Sequence, residues 1–372
     1  MSKKPLVKLP ISVSRDEALD LFQILANINR NVGRLSSEFE HSRIKNSMLD
    51  LLLMEESVYS NIIEGTQVTL TDMMEEGRVN PSWERRQVLS YYDTLLEGIS
   101  YIQSGYPIST HLIKTLHRTL MGNTQGLDDS EGEYRKIQNF IGFTSRIEEA
   151  VYIPVEANEI DEYMDNLHIH INSLPQNGIK KIQKFDDFIF DETCDPIIKI
   201  AIMHAQFESI HPFLDGNGRM GRILIAVMAI NVGLVDVPVF FVSEEFKKEK
   251  QRYYSLLNGV RGDNPDWYAW IKFFIQASGR VTDKLLHKLK AVEDLAEKGL
   301  IPCTIEANRE IWLYTFSDPY TIAERVAENL RIPTVTARKG LKSLSETGLL
   351  YADKTEIANR KYRNYDLIRI FN

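Results

Sequence analysis

The sequence predicts a mainly α-helical protein that ends in a small domain of mixed helix and strand. Apolar residues recur at three-and-four spacing in residues 17–32, 43–63 and 84–103, which is the period of an amphipathic helix. Shorter segments with the same period follow at 111–121 and 158–172. The last 60 residues differ, because two short helical segments are followed there by alternating apolar and polar residues.

The composition is that of an ordinary globular protein. Of the 372 residues, 43% are hydrophobic and 26% are charged, and the net charge is −8, which excludes binding of nucleic acid through bulk positive charge. The N-terminal residues lack an apolar signal segment, and no run approaches the ~18 apolar residues of a membrane span. The only cysteines, Cys194 and Cys303, lie far apart in the sequence, which excludes a disulfide scaffold. We therefore expect a cytoplasmic protein with no membrane partner.

The middle of the chain predicts a hairpin and then two buried helices. Residues 138–154 place aromatic and β-branched residues on both sides of a polar turn, which is typical of a β-hairpin. Residues 194–210 open with Asp-Pro, a good helix start. The apolar run at 221–234 predicts a second helix that ends near Gly233. Residues 253–277 predict two further helices separated by a turn.

Between the two buried helices lies the polar segment HPFLDGNGRMGR, residues 211–222. Gly216, Asn217 and Gly218 stand directly before the second helix. Backbone N–H groups made accessible by glycine, together with the positive end of a helix dipole, bind phosphate-like anions. The segment therefore predicts an anion site at the start of this helix.

Five side chains of the same segment complete the predicted site. Arg219 and Arg222 are three residues apart, so both can clamp one phosphate-bearing ligand. Asp215 offers a hard oxygen ligand that suits Mg²⁺ with a polyphosphate. His211 can take a proton from a hydroxyl nucleophile, since imidazole titrates near neutrality, and Phe213 is expected to anchor the loop in the core. Phosphoryl-type transfer uses such a set, and the chain has no Walker A motif.

The spacing of residues 211–222 resembles the Fic family signature HxFx[DE]GNGRxxR, with no departure at any specified position. GEYRKIQNFIG and AVYIP, at 132–142 and 150–154, resemble the family's segment leading into and through its substrate flap. RYYSLLNGV and WYAWIKFFI resemble its later helices, so that the resemblance covers about residues 15–290. It implies a Fic-type helical core with a β-hairpin flap.

The resemblance implies a protein adenylyltransferase, which transfers AMP from ATP·Mg²⁺ to a Ser, Thr or Tyr hydroxyl and releases pyrophosphate. His211 would be the catalytic base, Asp215 would hold Mg²⁺, and Arg222 would bind the γ-phosphate. The other nucleotide- and phosphate-binding residues would be Gly216, Asn217 with its side chain, Gly218, Arg219, Gly221, Tyr253, Tyr254 and Leu257. Of these, Tyr253, Tyr254 and Leu257 would line the adenine pocket, although core packing explains such a set nearly as well.

The segment SNIIEG, residues 60–65, ends the second predicted helix. Taken alone, Glu64 is an ordinary surface charge near a helix end. The segment also resembles the family's inhibitory motif [ST]xxxE[GN], supplied here by Ser60, Glu64 and Gly65. In that scheme Glu64 pairs with Arg222 and blocks the productive position of the γ-phosphate. A carboxylate and a guanidinium in a partly dry cleft form a strong pair, so we interpret Glu64 as inhibitory.

These observations predict three parts of the chain. Residues 1–105 form a helical region that carries the inhibitory helix, about 43–65; residues 106–290 form the catalytic core, with the flap at about 138–154; residues 305–372 form a winged helix-turn-helix domain. The target protein is expected to dock on the flap by strand addition. The protein itself is a second expected target, through auto-AMPylation, and a homodimer is left open.

The C-terminal domain is interpreted from the order helix, turn, helix and hairpin, which is that of a winged helix-turn-helix. Helices are predicted at 321–330 and 334–348, and two strands at 349–371. From Leu313 onwards ten Lys and Arg residues stand against seven Asp and Glu residues. This small surplus leaves DNA and a protein partner equally open.

Two other functions stay compatible with the same residues. The site could remove AMP from modified proteins, with Glu64 positioning a water molecule. Alternatively, the protein could be a nucleotide-sensing, DNA-binding transcription regulator, although the intact His211 argues against a purely sensory domain. His168 and His170 have no acidic or cysteine partners at metal-ligand spacing and are interpreted as structural or exposed.

Overall fold

A computed structural model describes residues 6–76, 81–125, 131–142, 146–174, 187–191, 193–353 and 360–371. As predicted, this part of the chain is mainly α-helical. Its helices are α1 Arg15–His41, α2 Lys45–Glu64, α3 Leu70–Glu76, α4 Trp83–Gln103, α5 Thr110–Gln125, α6 Ile160–Ile171, α7 Pro196–Ile210, α8 Asn217–Asn231, α9 Ser243–Lys248, α10 Lys250–Gly259, α11 Trp267–Leu300, α12 Glu306–Tyr314, α13 Ala323–Leu330, α14 Thr334–Glu346 and α15 Tyr365–Phe371. Its strands are β1 Ile11–Ser14, β2 Asp187–Phe190, β3 Tyr320–Thr321, β4 Tyr351–Ala352 and β5 Tyr362–Arg363.

The described residues fall into two compact units. The first consists of those within the spans Met1–Ser36, Glu56–Gln67 and Ser82–Thr282, and the second of those within Ser37–Glu55, Val68–Pro81 and Asp283–Asn372. The division into 1–105, 106–290 and 305–372 stays a prediction. No helix in the described ranges is long and apolar enough to cross a membrane.

The first unit is built around α7 and α8. Both helices are apolar on nearly all sides, and α7 is buried from Ile197 to Ile210, as expected for helices in the centre of a core. Asp195 caps α7 by accepting the Ile197 N–H at 2.8 Å, which confirms the predicted start. Helix α4 packs against α5 and α8, and a Cβ at Gly98 would lie 2.8 Å from Val227 Cγ2. Strands β1 and β2 pair antiparallel, from Ile11 with Phe190 to Ser14 with Asp187.

The lengths of two helices differ from the predicted ones. Helix α8 begins at Asn217, inside the polar segment, and Gly233 follows it with a φ of 68°, as predicted. Helix α11 continues to Leu300, well beyond the predicted end at residue 277. Its amphipathic pattern continues through Val281, Leu285, Leu289 and Val292, which are all buried.

The predicted hairpin at 138–154 is short in the described residues. Ile141 and Tyr152 form an isolated antiparallel bridge, with N···O distances of 2.8 and 3.1 Å. A 3₁₀ turn at Ile147–Glu149 lies between them, and residues 143–145 lie outside the described part. We keep the name flap for residues 138–154.

In the second unit, α12, α13 and α14 pack against one another. The strands form an antiparallel sheet in the order β3-β5-β4. The prediction of two strands over residues 349–371 is wrong for the last seven residues of that range, which form α15. Leu367, Ile368 and Phe371 are buried at helical spacing, and the side chain of Asn364 accepts the Leu367 N–H at 3.1 Å. Residues 354–359, in the middle of this predicted hairpin, lie outside the described part.

Candidate active site

The polar segment forms a tight loop between the end of α7 and the start of α8. His211, the first residue after α7, has a φ of 52°, and Gly216, the residue before α8, has a φ of 74°. A left-handed backbone is unusual for histidine but costs glycine nothing. As at any helix start, the N–H groups in the first turn of α8 lack carbonyl partners within the helix, and the anion site there stays a prediction.

The side chain of Asn217 holds the loop in shape. It accepts the Phe213 N–H at 2.9 Å and donates to the Phe213 carbonyl at 2.8 Å, and it is buried. These two bonds use one N–H and one acceptor position of the amide. Asn217 also lines one of the two cavities described below, and the phosphate contact of its side chain stays a prediction.

Phe213 is fully buried beneath the loop, as predicted, and His117 stacks on it. Their ring centroids are 3.7 Å apart and the planes are inclined by 6°. His117 Nδ1 accepts the Gly132 N–H at 3.1 Å, so Nε2 carries the proton and donates to the Asp215 carbonyl at 3.0 Å. Burial lowers the pKa of His117 to about 4, which keeps the ring neutral. Sequence reasoning missed this residue because it lies in an ordinary helix, far from the polar segment.

His211 is half-buried and oriented by the last turn of α7. Its Nδ1 lies 3.4 Å from the Glu208 carbonyl oxygen, which can only accept a proton. Nδ1 therefore carries the hydrogen, and Nε2 is left as the basic nitrogen. Burial, with the Arg261 cation as the second cause, lowers the pKa of His211 to about 3. The imidazole is neutral at physiological pH and able to accept a proton.

Arg219 and Asp215 flank the start of α8. Arg219 Nη2 lies 3.6 Å from Asp215 Oδ2, and the two side chains are 6% and 68% exposed. Arg219 Nη1 is buried with no hydrogen-bond partner among the described residues. Asp215 Oδ1 accepts the Gly216 N–H at 2.7 Å. The described residues contain no cluster of three or more His, Cys, Asp or Glu side chains placed to hold a metal ion.

Arg222 pairs with the end of α2, as the inhibitory hypothesis requires. Its Nη2 donates to Glu64 Oε1 at 2.5 Å and to the Ser60 carbonyl at 3.1 Å, while Nε donates to Ser60 Oγ at 2.8 Å. Burial opposes ionisation of both partners, but their mutual attraction outweighs it: the pKa of Glu64 is lowered and that of Arg222 is raised. Gly65 ends the helix with a φ of 110°.

Gly218 leaves the space that this ion pair occupies. A Cβ there would lie 2.5 Å from Glu64 Oε1 and 3.2 Å from Arg222 Nη1. Gly221 serves a different packing purpose, because a Cβ at that position would collide with the buried Glu208 carboxylate. Gly221 lines neither of the two cavities described next, so its predicted phosphate contact has no support in the geometry.

Two cavities meet at Glu64, His211 and Gly218. One, of about 440 Å³, is lined by Trp83, Leu214 and the residues from Asp215 to Arg219. The other, of about 480 Å³, is lined by flap residues, Arg222 and all three residues of the predicted adenine pocket, Tyr253, Tyr254 and Leu257.

The predicted adenine-pocket residues combine packing and lining. Tyr253 is buried, its hydroxyl lies 2.8 Å from His204 Nε2, and its ring stacks on Phe246 at 4.5 Å. Tyr254 is exposed at the cavity, whereas Leu257 is buried. Core packing thus accounts for Tyr253, which also forms a wall of the cavity, and the adenine-pocket assignment of the three residues stays a prediction.

Comparison with known proteins agrees with the geometry. The Fic/DOC family matches residues 107–229, a range that contains the loop and most of α8. The chain contains a Fic domain.

Curated relatives of this Fic-domain chain are named "Protein adenylyltransferase Fic". The protein from Nematostella vectensis is 24% identical over 238 residues, which are 61% of this chain and 47% of that protein. The protein from Drosophila grimshawi is 23% identical over 307 residues, which are 80% of this chain and 52% of that protein. The chain thus spans about half of the length of these relatives.

Solved structures show that the fold is shared. A Fic family protein from Desulfovibrio desulfuricans G20 is 19% identical, with a TM-score of 0.56 over 92% of this chain and 95% of that one. A Fic domain containing signaling protein from Bacteroides thetaiotaomicron is 20% identical, with a TM-score of 0.52 over 70% of this chain and 98% of that one.

Proposed function

We propose that this protein is a protein adenylyltransferase that transfers AMP from ATP to a hydroxyl group of a target protein. The observation that carries the proposal is one cleft that holds a neutral histidine, His211, and the N-terminus of α8 with the buried guanidinium of Arg219. This arrangement pairs a base for a nucleophile with donors for a polyphosphate. The names of the curated relatives support the same activity.

In the proposed reaction, a target hydroxyl oxygen attacks the α-phosphorus of ATP. The bond from this phosphorus to the oxygen that bridges to the β-phosphorus breaks, and pyrophosphate leaves with that electron pair. His211 Nε2 takes the hydroxyl proton, while Nδ1–H stays on the Glu208 carbonyl. The start of α8 and Arg219 hold the phosphates.

One residue of this site, Asp215, is suited to hold Mg²⁺. The exposed carboxylate of Asp215 lies in the cleft beside the start of α8. Mg²⁺ commonly binds one or two carboxylates together with substrate phosphates. When bound, it would neutralise charge on the triphosphate, and Asp215 is the residue that would hold it.

In the proposed reaction, the charge of bound ATP changes the basicity of His211. Its pKa of about 3 follows from burial and from the Arg261 cation. The negative triphosphate offsets that cation and raises the pKa, which makes the imidazole a stronger base when ATP is bound.

We also propose that Glu64 restrains the enzyme. The two partners are unequally placed: Arg222 is 1% exposed, whereas Glu64 is 37% exposed. The carboxylate therefore reaches the buried cation from the cavity side, where the γ-phosphate would have to approach. While the pair is formed, Arg222 is not available to the nucleotide.

ATP labelled at its α-phosphate tests both parts of this proposal. We expect little self-labelling by the wild type, strong labelling by Glu64→Gly and none by Glu64→Gly combined with His211→Ala. Glu346→Gly is the matched control, since Glu346 is also the last residue of a helix and pairs with a cation, Lys342. Equal labelling of the wild type and Glu64→Gly would contradict the restraint, and label in the His211→Ala form would contradict the assigned base.

The same assay separates AMP addition from AMP removal. Protein labelled by Glu64→Gly is purified and mixed with the wild type, and release of labelled AMP is followed. Retained label supports a transferase, whereas release that depends on Glu64 would support removal. A cytoplasmic location and a homodimer stay predictions.

For the C-terminal elements we propose a winged helix-turn-helix, supported by the packing of α12 to α14 and the strand order β3-β5-β4. Helix α14 buries Ala337 and Leu341 and exposes Arg338, Lys339 and Lys342. Footprinting of the full chain on genomic DNA at low salt tests DNA as the partner. Absence of protection would leave a protein partner.

A further inference from the structure

Arg135 lies between the flap and the loop at residues 211–216, which carries His211. It is 3% exposed, in the segment between α5 and the flap. Its Nε donates to the His211 carbonyl at 3.0 Å, and its backbone N–H donates to the Pro212 carbonyl at 2.9 Å. One residue thus holds two consecutive carbonyls of the loop that carries the catalytic base.

The same guanidinium also holds both ends of the flap. Nη1 donates to the Ile137 carbonyl at 3.2 Å, and Nη2 donates to the carbonyls of Val155 and, at 3.5 Å, Ile210. Ile137 precedes the flap and Val155 follows it directly. A single planar group therefore joins the two chain segments at the base of the flap to the end of α7.

The chemistry of this contact requires arginine. The carbonyls lie in several directions around the guanidinium, whose N–H groups form a rigid planar fork. The carbonyl end of α7, with its partial negative charge, also attracts the buried cation. Lysine has one nitrogen at the end of a flexible stem and cannot reach the same set of acceptors.

Arg261 makes a second, independent link between the same two regions. Its Nη2 donates to the Glu208 carbonyl at 3.0 Å, and its Nε donates to Ser209 Oγ at 3.0 Å. Its guanidinium lies 3.9 Å from the centroid of the Tyr152 ring in the flap, and the Tyr152 hydroxyl donates to the Ser209 carbonyl at 2.9 Å. The end of α7 and the flap thus form one assembly with two buried arginines.

We propose that Arg135 is a positioning residue that holds the flap in register with His211, so that a hydroxyl presented at the flap meets the basic nitrogen. The inference rests on the proposed transferase function. It explains how His211 is kept at a φ of 52°, a conformation that histidine adopts rarely and that needs support from its surroundings. Arg135 lines neither cavity, so it acts through the flap and the loop.

The activity test uses the full chain in the Glu64→Gly background. Arg135→Lys should lower the single-turnover rate of self-labelling about 100-fold, the size of effect produced by misplacing reacting groups by about 1 Å. The Kd for ATP, measured by calorimetry, should change less than about threefold, because Arg135 does not contact the nucleotide. Arg118→Lys, an exposed arginine of α5 with an ion pair to Glu133, should leave both values unchanged.

Hydrogen exchange provides a readout that does not depend on activity. In Arg135→Lys, amides at 137–142 and 150–155 should exchange at least about tenfold faster, while those of α4 and α8 keep their rates. Unchanged exchange in the flap, a uniform rise across the first unit, or a parallel loss of ATP affinity and labelling would overturn the positioning role.

A second variant guards against a simple folding defect. Arg135→Ala is assayed with added guanidinium ion, which should restore part of the labelling rate where ammonium ion does not. Failure of guanidinium to restore any rate in a folded Arg135→Ala protein counts against the inference. If the Glu64→Gly protein with Arg135 intact transfers no label, the transferase proposal fails, and the exchange result alone decides the role of Arg135.

Discussion

The loop at residues 211–216 joins the carbonyl end of α7 to the N–H end of α8, and the two helix ends differ in whether protein groups fill them. The carbonyl end of α7 is filled by protein: Arg135 and Arg261 donate to the carbonyls of Glu208, Ile210 and His211. The N–H end of α8 instead faces a cavity, where Arg219 keeps one nitrogen without a partner among the described residues. The closed end holds His211 in place, and the open end is where, in the proposed function, the phosphates bind.

The comparison shows how one short loop can be both rigid and able to bind. Rigidity comes from contacts made by residues remote in sequence, such as His117 and Arg135. Binding capacity comes from groups that the fold leaves without partners. Substitutions of the groups left without partners should therefore change nucleotide binding and turnover, and substitutions of the groups that hold the loop should change its stability or the position of His211.

The largest effect is expected at the open end. In the Glu64→Gly background, Arg219→Ala removes a buried cation facing the phosphates and should lower kcat/KM for ATP by about 10²–10³-fold, the usual loss for one preorganised donor. Initial rates of self-labelling at varied ATP measure it. The thermal midpoint should move little, and a large fall in it with an unchanged kcat/KM would show that Arg219 is structural.

The next effect concerns pH and His117, which holds the loop through Phe213 and the Asp215 carbonyl. The pKa of His117 is about 4 in the folded protein, below the ordinary value of about 6.5. The unfolded chain therefore binds the extra proton first, so this residue's contribution to stability is complete above pH 6.5 and is lost as the pH falls towards 4. The loss amounts to about 3 kcal/mol at most. Urea unfolding of the wild type and His117→Gln from pH 7 to pH 4 should give converging stabilities, and parallel curves would contradict the assignment.

A smaller loss of stability is expected for Asn217→Ala. The substitution leaves the buried N–H and carbonyl of Phe213 without their partners and should cost about 2 kcal/mol, at roughly 1 kcal/mol for each hydrogen bond. Urea unfolding measures this free energy. Asn217→Asp retains the acceptor and should lose about half as much, whereas equal losses would show that the amide does not act through these two bonds.

The smallest effect is expected for a change at Glu64, whose carboxylate enters the cavity at the open end. Glu64→Gln keeps the size of the side chain but removes its charge, so the contact with Arg222 weakens without disappearing. The rate of self-labelling should rise about tenfold, the equivalent of one charge-assisted hydrogen bond, and stay below that of Glu64→Gly. A rate equal to that of the wild type would mean that Glu64 restrains the site by its bulk alone.

Sequence reasoning named more residues of the open end than of the closed end. Residues 211–222 form one contiguous segment, so their spacing placed His211, Arg219 and Arg222 together. The pairing of Glu64 with Arg222 followed from the resemblance of residues 60–65 to the inhibitory motif, and the structure contains that contact. The two arginines of the closed end come from the segment between α5 and the flap and from the region after α10, and no local pattern relates them. For the same reason, the bonds between the Asn217 side chain and Phe213 could be found only from the fold.

The existence of the long helices was predicted better than the residues at which they end, and better than the short strands. The apolar patterns of α2, α4 and α7 extend over several turns, because these helices bury one face or all of their faces. Strands of two residues, such as β3 and β4, offer no alternation to read. The last seven residues of the predicted hairpin form α15, because Leu367, Ile368 and Phe371 bury themselves at helical spacing.

Because Gly218 has no side chain, there is room beside it for the Glu64 carboxylate. In the proposed function, a phosphate oxygen would have to enter the same space to reach Arg222. The restraint is then an internal competitor, present at a constant effective concentration because it is part of the same chain. Such a competitor raises the apparent Kd for ATP by a constant factor and leaves the binding curve hyperbolic. ATP in sufficient excess would displace Glu64 from Arg222, so the fraction of protein free of the restraint would rise with the ATP concentration.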